Sequence, residues 1–269
     1  MLIDFHTHAF PDALAEKAIP KLAACGNITP VGNGKVSDLI AHMDLYGVDR
    51  SVVLNIATNP HQEHKVNCFA VSLNDRVPEI AALGSLHPDS TETEAELDYL
   101  SDHDIRGIKI HPEYAGYYID SPEWDRIFSA CEERGFFVVT HAGYDFISPD
   151  RIAVTPERLE RVLNRHKKLT VIAAHLGGNR LWNDVYDRLC GRDDLYFDTA
   201  LISREGIDPD IAARIIEKHG ADRILFGSDC PWSSPAAELA FVRSVVPDGA
   251  KLEKILSENA RKLLYESAD

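Results

Sequence analysis

The chain has 269 residues, 45% of them hydrophobic, enough to bury a substantial core in one large α/β domain or two small ones. Its 28 Lys and Arg stand against 43 Asp and Glu, and the formal charge of −15 opposes binding to nucleic acid or an anionic membrane surface. No run approaches the roughly 20 apolar residues of a membrane helix, no basic, apolar leader precedes the first strand-like run, and the five scattered cysteines have no CxxC spacing. A soluble, cytoplasmic protein is therefore expected, with four of the cysteines as buried thiols.

Along the chain, apolar runs of strand length alternate with amphipathic runs of helix length. The run 2–8 reads as a strand, 36–46 as a helix, 51–56 and 80–86 as strands, and 93–101 as a helix. The strand 107–111 is followed by a helix over 122–134, the strand 136–141 by a helix over 156–165, and the strand 170–175 by the strand 195–199. The helix 210–219, the strand 223–228 and the helix 235–245 complete the series. Ser37, Ser121 and Thr155 are candidate N-caps, and Pro122 and Pro156 stand where a missing N–H costs nothing. Eight strands in about 250 residues, with no Pro/Gly/Ser-rich linker, predict a single-domain (β/α)8 TIM barrel over 1–269. A doubly wound open sheet has the same alternation, but no GxGxxG follows the first strand.

Function is written at the ends of these strands. They close in His6-Thr7-His8, Lys109-Ile110-His111, Thr140-His141, Ala174-His175-Leu176-Gly177-Gly178 and Gly227-Ser228-Asp229-Cys230-Pro231-Trp232. In a parallel barrel such C-terminal ends converge on one face, where active sites form. Residues i and i+2 of a strand share a face, so His6 and His8 make a ready claw for a divalent metal.

This set of motifs resembles the amidohydrolase superfamily, and within it the amidohydrolase-2 branch that includes aminocarboxymuconate-semialdehyde decarboxylase-like proteins. That branch opens with a D-x-H-x-H strand, here Asp4 to His8. It ends strand five in a histidine, here His141, carries H-x-G-G after strand six, here His175 to Gly178, and ends strand eight in G-S-D-x-P, here Gly227 to Pro231. The resemblance implies that His6, His8, His141 and Asp229 bind one catalytic metal, zinc in the first place, and that His175 acts near the substrate. Three imidazoles and a carboxylate suit zinc, with manganese, iron or cobalt as alternatives. Zinc can lower the pKa of bound water to about 7, Asp229 could take its proton, and His175 could orient or protonate the substrate carbonyl.

Lys109 and His111 share a face and should point into the barrel. Lys109 suits a substrate carboxylate or a structural role among acids such as Glu113, ahead of a carboxylated bridge between two metals. Tyr114, Tyr117, Tyr118, Tyr144, Phe146 and Trp182 are aromatic candidates for the pocket wall; Arg180 is the leading anion binder, and Trp232 is a further candidate for the wall. Three functions fit: a hydrolase of an amide, lactone, lactam or ester, a metal-dependent non-oxidative decarboxylase, and a non-enzymatic metal-binding barrel. The presence of every ligand type and of His175 argues against the third, since a binding module would not need the proton-transfer groups. Decarboxylases of this branch tend to be longer, and this chain spends little beyond the barrel, which favours hydrolysis of a small molecule. Leu252, Ile255, Leu256, Leu263 and Leu264 fit a final helix on the barrel exterior, or a contact in a homo-oligomer.

Overall fold

Eight parallel strands lie side by side in chain order: β1 (Ile3–Thr7), β2 (Arg50–Leu54), β3 (Ile80–Ser85), β4 (Gly107–Ile110), β5 (Phe137–Thr140), β6 (Val171–Ala173), β7 (Leu195–Asp198) and β8 (Ile224–Leu225). This computed structural model describes residues 1–265; the last four residues of the predicted domain lie outside the described residues. Phe5 N–H donates to the Phe226 carbonyl at 2.7 Å, Asp229 N–H to that of His6 at 2.8 Å, and His8 N–H to that of Cys230 at 2.7 Å. These bonds bring β8 back to β1 and close the TIM barrel.

A helix follows each strand: Val36–Tyr46, Glu63–Arg76, Thr93–Asp102, Asp125–Arg134, Pro156–Arg165, Trp182–Arg188, Pro209–His219 and Pro235–Val245. The strands are buried on both faces, so their apolar runs are nearly continuous rather than alternating. One face joins Ile3, Phe5, Leu54, Val139, Ile172 and Leu225 in a cluster inside the barrel. The other packs Val53, Ile108, Val138, Phe197 and Ile224 among the helices.

Several local expectations need correction. Thr155 does cap its helix, accepting from Arg158 N–H at 3.3 Å. The helix carrying Ser37 begins one residue earlier, with Lys35 at the cap position. Ser121 precedes a 3-10 turn, Pro122–Trp124, without a capping bond from its side chain. Only Cys131 and Cys230 are buried; Cys25 is exposed, and Cys68 and Cys190 are half-buried. The final segment does more than lie on the exterior. Leu252, Ile255 and Leu256 pack against the outer layer, whereas Ala260, Leu263 and Leu264 pack against the interior cluster. Asn259 Nδ2 donates to the carbonyls of Ala221 and Ile224, both at 2.7 Å, and ties this plug to the entry of β8.

The largest omission from the sequence reading is the helix Asp12–Gly26. It is an addition to the basic strand–helix unit, placed between β1 and Val36–Tyr46, and its apolar residues, many of them alanines, mark no narrow buried stripe: only Ala15 and Ile19 are buried. The chain therefore spends 15 residues on a helix over the barrel mouth.

Candidate active site

His6 and Lys109 lie within β1 and β4, and the other predicted site residues stand beyond the strands. β4 ends at Ile110, β5 at Thr140, β6 at Ala173 and β8 at Leu225, so His111, His141, His175 and Asp229 occupy the loops that follow. The backbone there adopts positive φ at His175 (59°), Leu201 (65°) and Asp229 (67°), conformations that L residues populate at a cost. Hydrogen bonds from the neighbouring chain hold them. His175 N–H donates to Asp198 Oδ1 at 3.0 Å, and Asp229 N–H is the donor to His6 noted above.

A bulge in β1 aims the first two histidines. The register with β2 runs Asp4 to Ser51 and then Thr7 to Val53, three steps on β1 against two on β2. Phe5 belongs to the interior cluster, so plain alternation would turn His6 and His8 outward; the extra residue returns both to the interior. Thr7 faces the other way and donates to the Val52 carbonyl at 2.8 Å.

His6, His8 and Asp229 converge. His6 Nε2 lies 3.6 Å and His8 Nε2 3.1 Å from Asp229 Oδ1, and the two rings stand at 74° to each other. His8 Nδ1 is 3.0 Å from the Leu54 carbonyl, which can only accept, so that nitrogen carries the proton and Nε2 presents its lone pair. His6 Nδ1 lies 2.7 Å from Asp198 Oδ2, a carboxylate that fixes the same tautomer. Burial holds His6 down at about 4, against the pull of Asp198, so at neutral pH it is an uncharged donor. Burial works against ionisation of Asp229 and Asp198, but the neighbouring imidazoles outweigh it and keep both carboxyls below the usual range.

His141 lies, by distance, in a second group of possible ligands beside the first. Its Nδ1 is 3.1 Å from His175 Nε2, and it groups with His111 and Asp145 rather than with His6, His8 and Asp229. His175 Nδ1 donates to the Ala200 carbonyl at 3.0 Å. The His111 and His141 rings are stacked, 4.4 Å apart and 12° from parallel. Imidazole lone pairs lie in the ring plane, so stacked rings aim them alongside one another and not at a common ion. The trio is thus a poor metal claw as it stands. His141 Nε2 and Asp145 Oδ2 are buried without a hydrogen-bond partner, and His111 Nδ1 and Glu113 Oε2 lie 3.3 Å from each other without hydrogen-bond geometry. Such groups are costly unless something binds them.

All of this opens into a cavity of about 710 Å³. His6, His8, Lys109, His111, His141, His175, Asp229 and Trp232 line it together, as the sequence predicted for a common face. Burial lowers Lys109 to about 8, with Asp198, Asp229 and Glu113 resisting. Arg180 does not belong to the lining. Its guanidinium pairs with Glu205 at 2.6 Å and lies 4.0 Å from the Tyr144 ring centroid, and its side chain is half-exposed, so its charge is already matched outside the pocket.

A family model described as amidohydrolase matches residues 3–265. The chain belongs to the amidohydrolase family. No curated protein matches its sequence. Among solved structures, a TIM-barrel protein of uncharacterised activity from Bordetella bronchiseptica is similar at a TM-score of 0.76 with 17% identity, over 98% of each chain. The 5-carboxyvanillate decarboxylase of Novosphingobium aromaticivorans, complexed with manganese, gives 0.71 with 15% identity over 98% of this chain and 96% of that one. A Pseudomonas putida protein described as a 2-pyrone-4,6-dicarboxylic acid hydrolase gives 0.69 with 15% identity over 100% and 98%. At these identities the likeness is one of fold. With both neighbours covered nearly end to end, chain length carries no argument between hydrolysis and decarboxylation.

Sequence reasoning missed two residues that organise this amidohydrolase site. Asp198 holds His6 through Oδ2 and, through Oδ1, accepts from the backbone of His175 and Ala200 at 3.0 Å each. Its signal was present, since Asp198 ends the apolar run of β7 as the other site residues end theirs. Glu238, fully buried, accepts from Ser203 N–H at 2.8 Å and Ser233 Oγ at 2.7 Å and joins the loops after β7 and β8. It lies in the first turn of the helix Pro235–Val245 and carries no motif.

Proposed function

We propose that this amidohydrolase-family chain is a metal-dependent hydrolase of a small molecule, with water attacking an amide, lactone or ester carbonyl. The observation that carries the reading is the convergence of His6 Nε2, His8 Nε2 and Asp229 Oδ1, each histidine locked by its other nitrogen. Asp229 Oδ1 is buried with no hydrogen-bond partner, which fits a ligand atom. The donor set suits zinc, with manganese as the alternative, and His141 is the candidate for a fourth position. A bound divalent ion would supply Lewis-acid polarisation of the carbonyl and acidify water.

The chain's own residues supply the rest. Asp229, held ionised, is the base that takes a proton from the attacking water. His175, whose Nδ1 is committed to Ala200, works through Nε2 at the substrate. Lys109 at the cavity floor places a substrate carboxylate, the unpartnered atoms of His111 and Asp145 meet polar groups, and Trp232 forms a wall.

One observation favours a second reading, non-oxidative decarboxylation. Lys109 is 1% exposed, lies beside Asp229, and makes no ion pair among the described residues, so it could hold the carboxylate that leaves. Reaction of metal-loaded protein with carboxylated lactones and hydroxybenzoates in ¹⁸O-water decides the matter. Hydrolysis predicts ¹⁸O in the product carboxylate; release of carbon dioxide without ¹⁸O incorporation would replace it by the second reading. Asp229→Asn should abolish turnover in either case while the far-ultraviolet circular dichroism is unchanged.

A further inference from the structure

We propose that Lys17 and Lys21, on the helix Asp12–Gly26, bind an anionic carboxylate at the end of the substrate remote from His6, His8 and Asp229. The inference rests on the reading of the cavity as the substrate site and adds what selects the substrate there. Lys17 and Lys21 are one helical turn apart, on one face of the helix. That face, with Leu14, Ala18, Leu22 and Cys25, lines the cavity whose floor carries the metal-site residues. Buried Ala15 and Ile19, next to Ala18 and Leu22 on the helix surface, anchor it.

The charge pattern points the same way. In a chain of formal charge −15, Lys35 is paired with Glu16, Lys251 with Glu217 and Lys254 with Asp222, whereas Lys65, Lys167, Lys168 and Lys262 make no ion pair among the described residues. Lys17 and Lys21 are exposed and make no ion pair among the described residues, although like charges at this spacing repel each other on a helix. An anion between them removes that repulsion. Lys109 is buried in β4 and Lys17 and Lys21 are exposed on the helix at the mouth, so cations stand at floor and lid of a cavity that apolar side chains such as Ile56 and Phe146 also line. A ligand with one carboxylate can meet one of these ends; a dicarboxylate meets both.

The test uses metal-loaded full-length protein and titration calorimetry with benzene-1,3-dicarboxylate and benzoate, on the wild type and the double variant Lys17→Gln/Lys21→Gln. The wild type should bind the dicarboxylate about tenfold more tightly than benzoate, an advantage that shrinks as salt is raised. The variant should bind both acids alike, with benzoate affinity unchanged. Equal binding of the two acids by the wild type, a preference that survives in the variant, or binding of neither acid would overturn the proposal. Metal content measured on the same samples reports separately on the metal-site reading.

Discussion

Asp198 shows how a residue that touches no substrate can set the chemistry of one that does. Its carboxylate obliges His6 Nδ1 to carry the proton, leaving Nε2 free. Asp198→Asn could instead donate its amide to Nδ1 and drive the proton to Nε2, the wrong side. We expect metal affinity to fall about 10–100-fold, read by competition with a chromogenic chelator, while the urea midpoint of the metal-free protein moves little; unchanged affinity would remove Asp198 from this role. His219 is the clearest buried titrating group away from the site. It stacks on Phe197 at 4.0 Å, its Nε2 lies 3.0 Å from the Leu195 carbonyl, and burial holds its pKa at about 4. The unfolded chain protonates this residue near its ordinary value of about 6.5, so its contribution to stability is complete above that pH and is lost as pH falls toward 4. Between pH ~7.5 and pH ~5 the loss is about 2 kcal/mol. Urea unfolding should show the wild type losing more stability over that interval than His219→Gln by about this amount, and equal losses would contradict the assignment.

At the scale of elements, the eight strands were legible because each is an apolar run closed by a turn signal, and the helices after β4, β5, β7 and β8 because they open on Pro or a capping residue. The bulge in β1 was not, since spacing reveals that His6 and His8 share a face without revealing which one. The placement of His141 beside His111 and Asp145 was equally hidden, because it depends on loop conformation after β4 and β5. Arg180 illustrates the same limit: its partner Glu205 lies in the loop after β7. The loops after β5 and β6 are locked together at Gly143, whose φ is +84° and whose missing Cβ would fall 2.1 Å from Asn179 N. Gly143→Ala should therefore cost several kcal/mol, on the order of 3 or more from backbone strain and overpacking together. Gly249→Ala is the control. It has nothing within 4 Å and lies at a helix start, so it should be neutral or slightly stabilising. Similar thermal unfolding of the two variants would contradict the tight β5–β6 contact.

For the whole molecule, barrel closure brings residues from both ends of the chain to one point. Asp4 Oδ1 accepts from Ser228 N–H at 2.8 Å, and the β1 and β8 loops together present His6, His8 and Asp229. No helix among the described residues is long and apolar enough to cross a membrane. The net negative charge disfavours polyanions, whereas the cavity lining sets Lys17, Lys21 and Lys109 against Glu113, Asp145 and Asp229. The family could be read from motifs spread over almost the whole sequence; the reaction could not, because one barrel supports many chemistries. The central claim is that His6, His8 and Asp229 form a metal centre. Elemental analysis of the purified wild type, His6→Ala and Lys109→Ala tests it most directly. The account predicts about one equivalent of zinc or manganese, lost in His6→Ala and kept in Lys109→Ala. No metal after loading, or a metal content that His6→Ala leaves untouched, would contradict it.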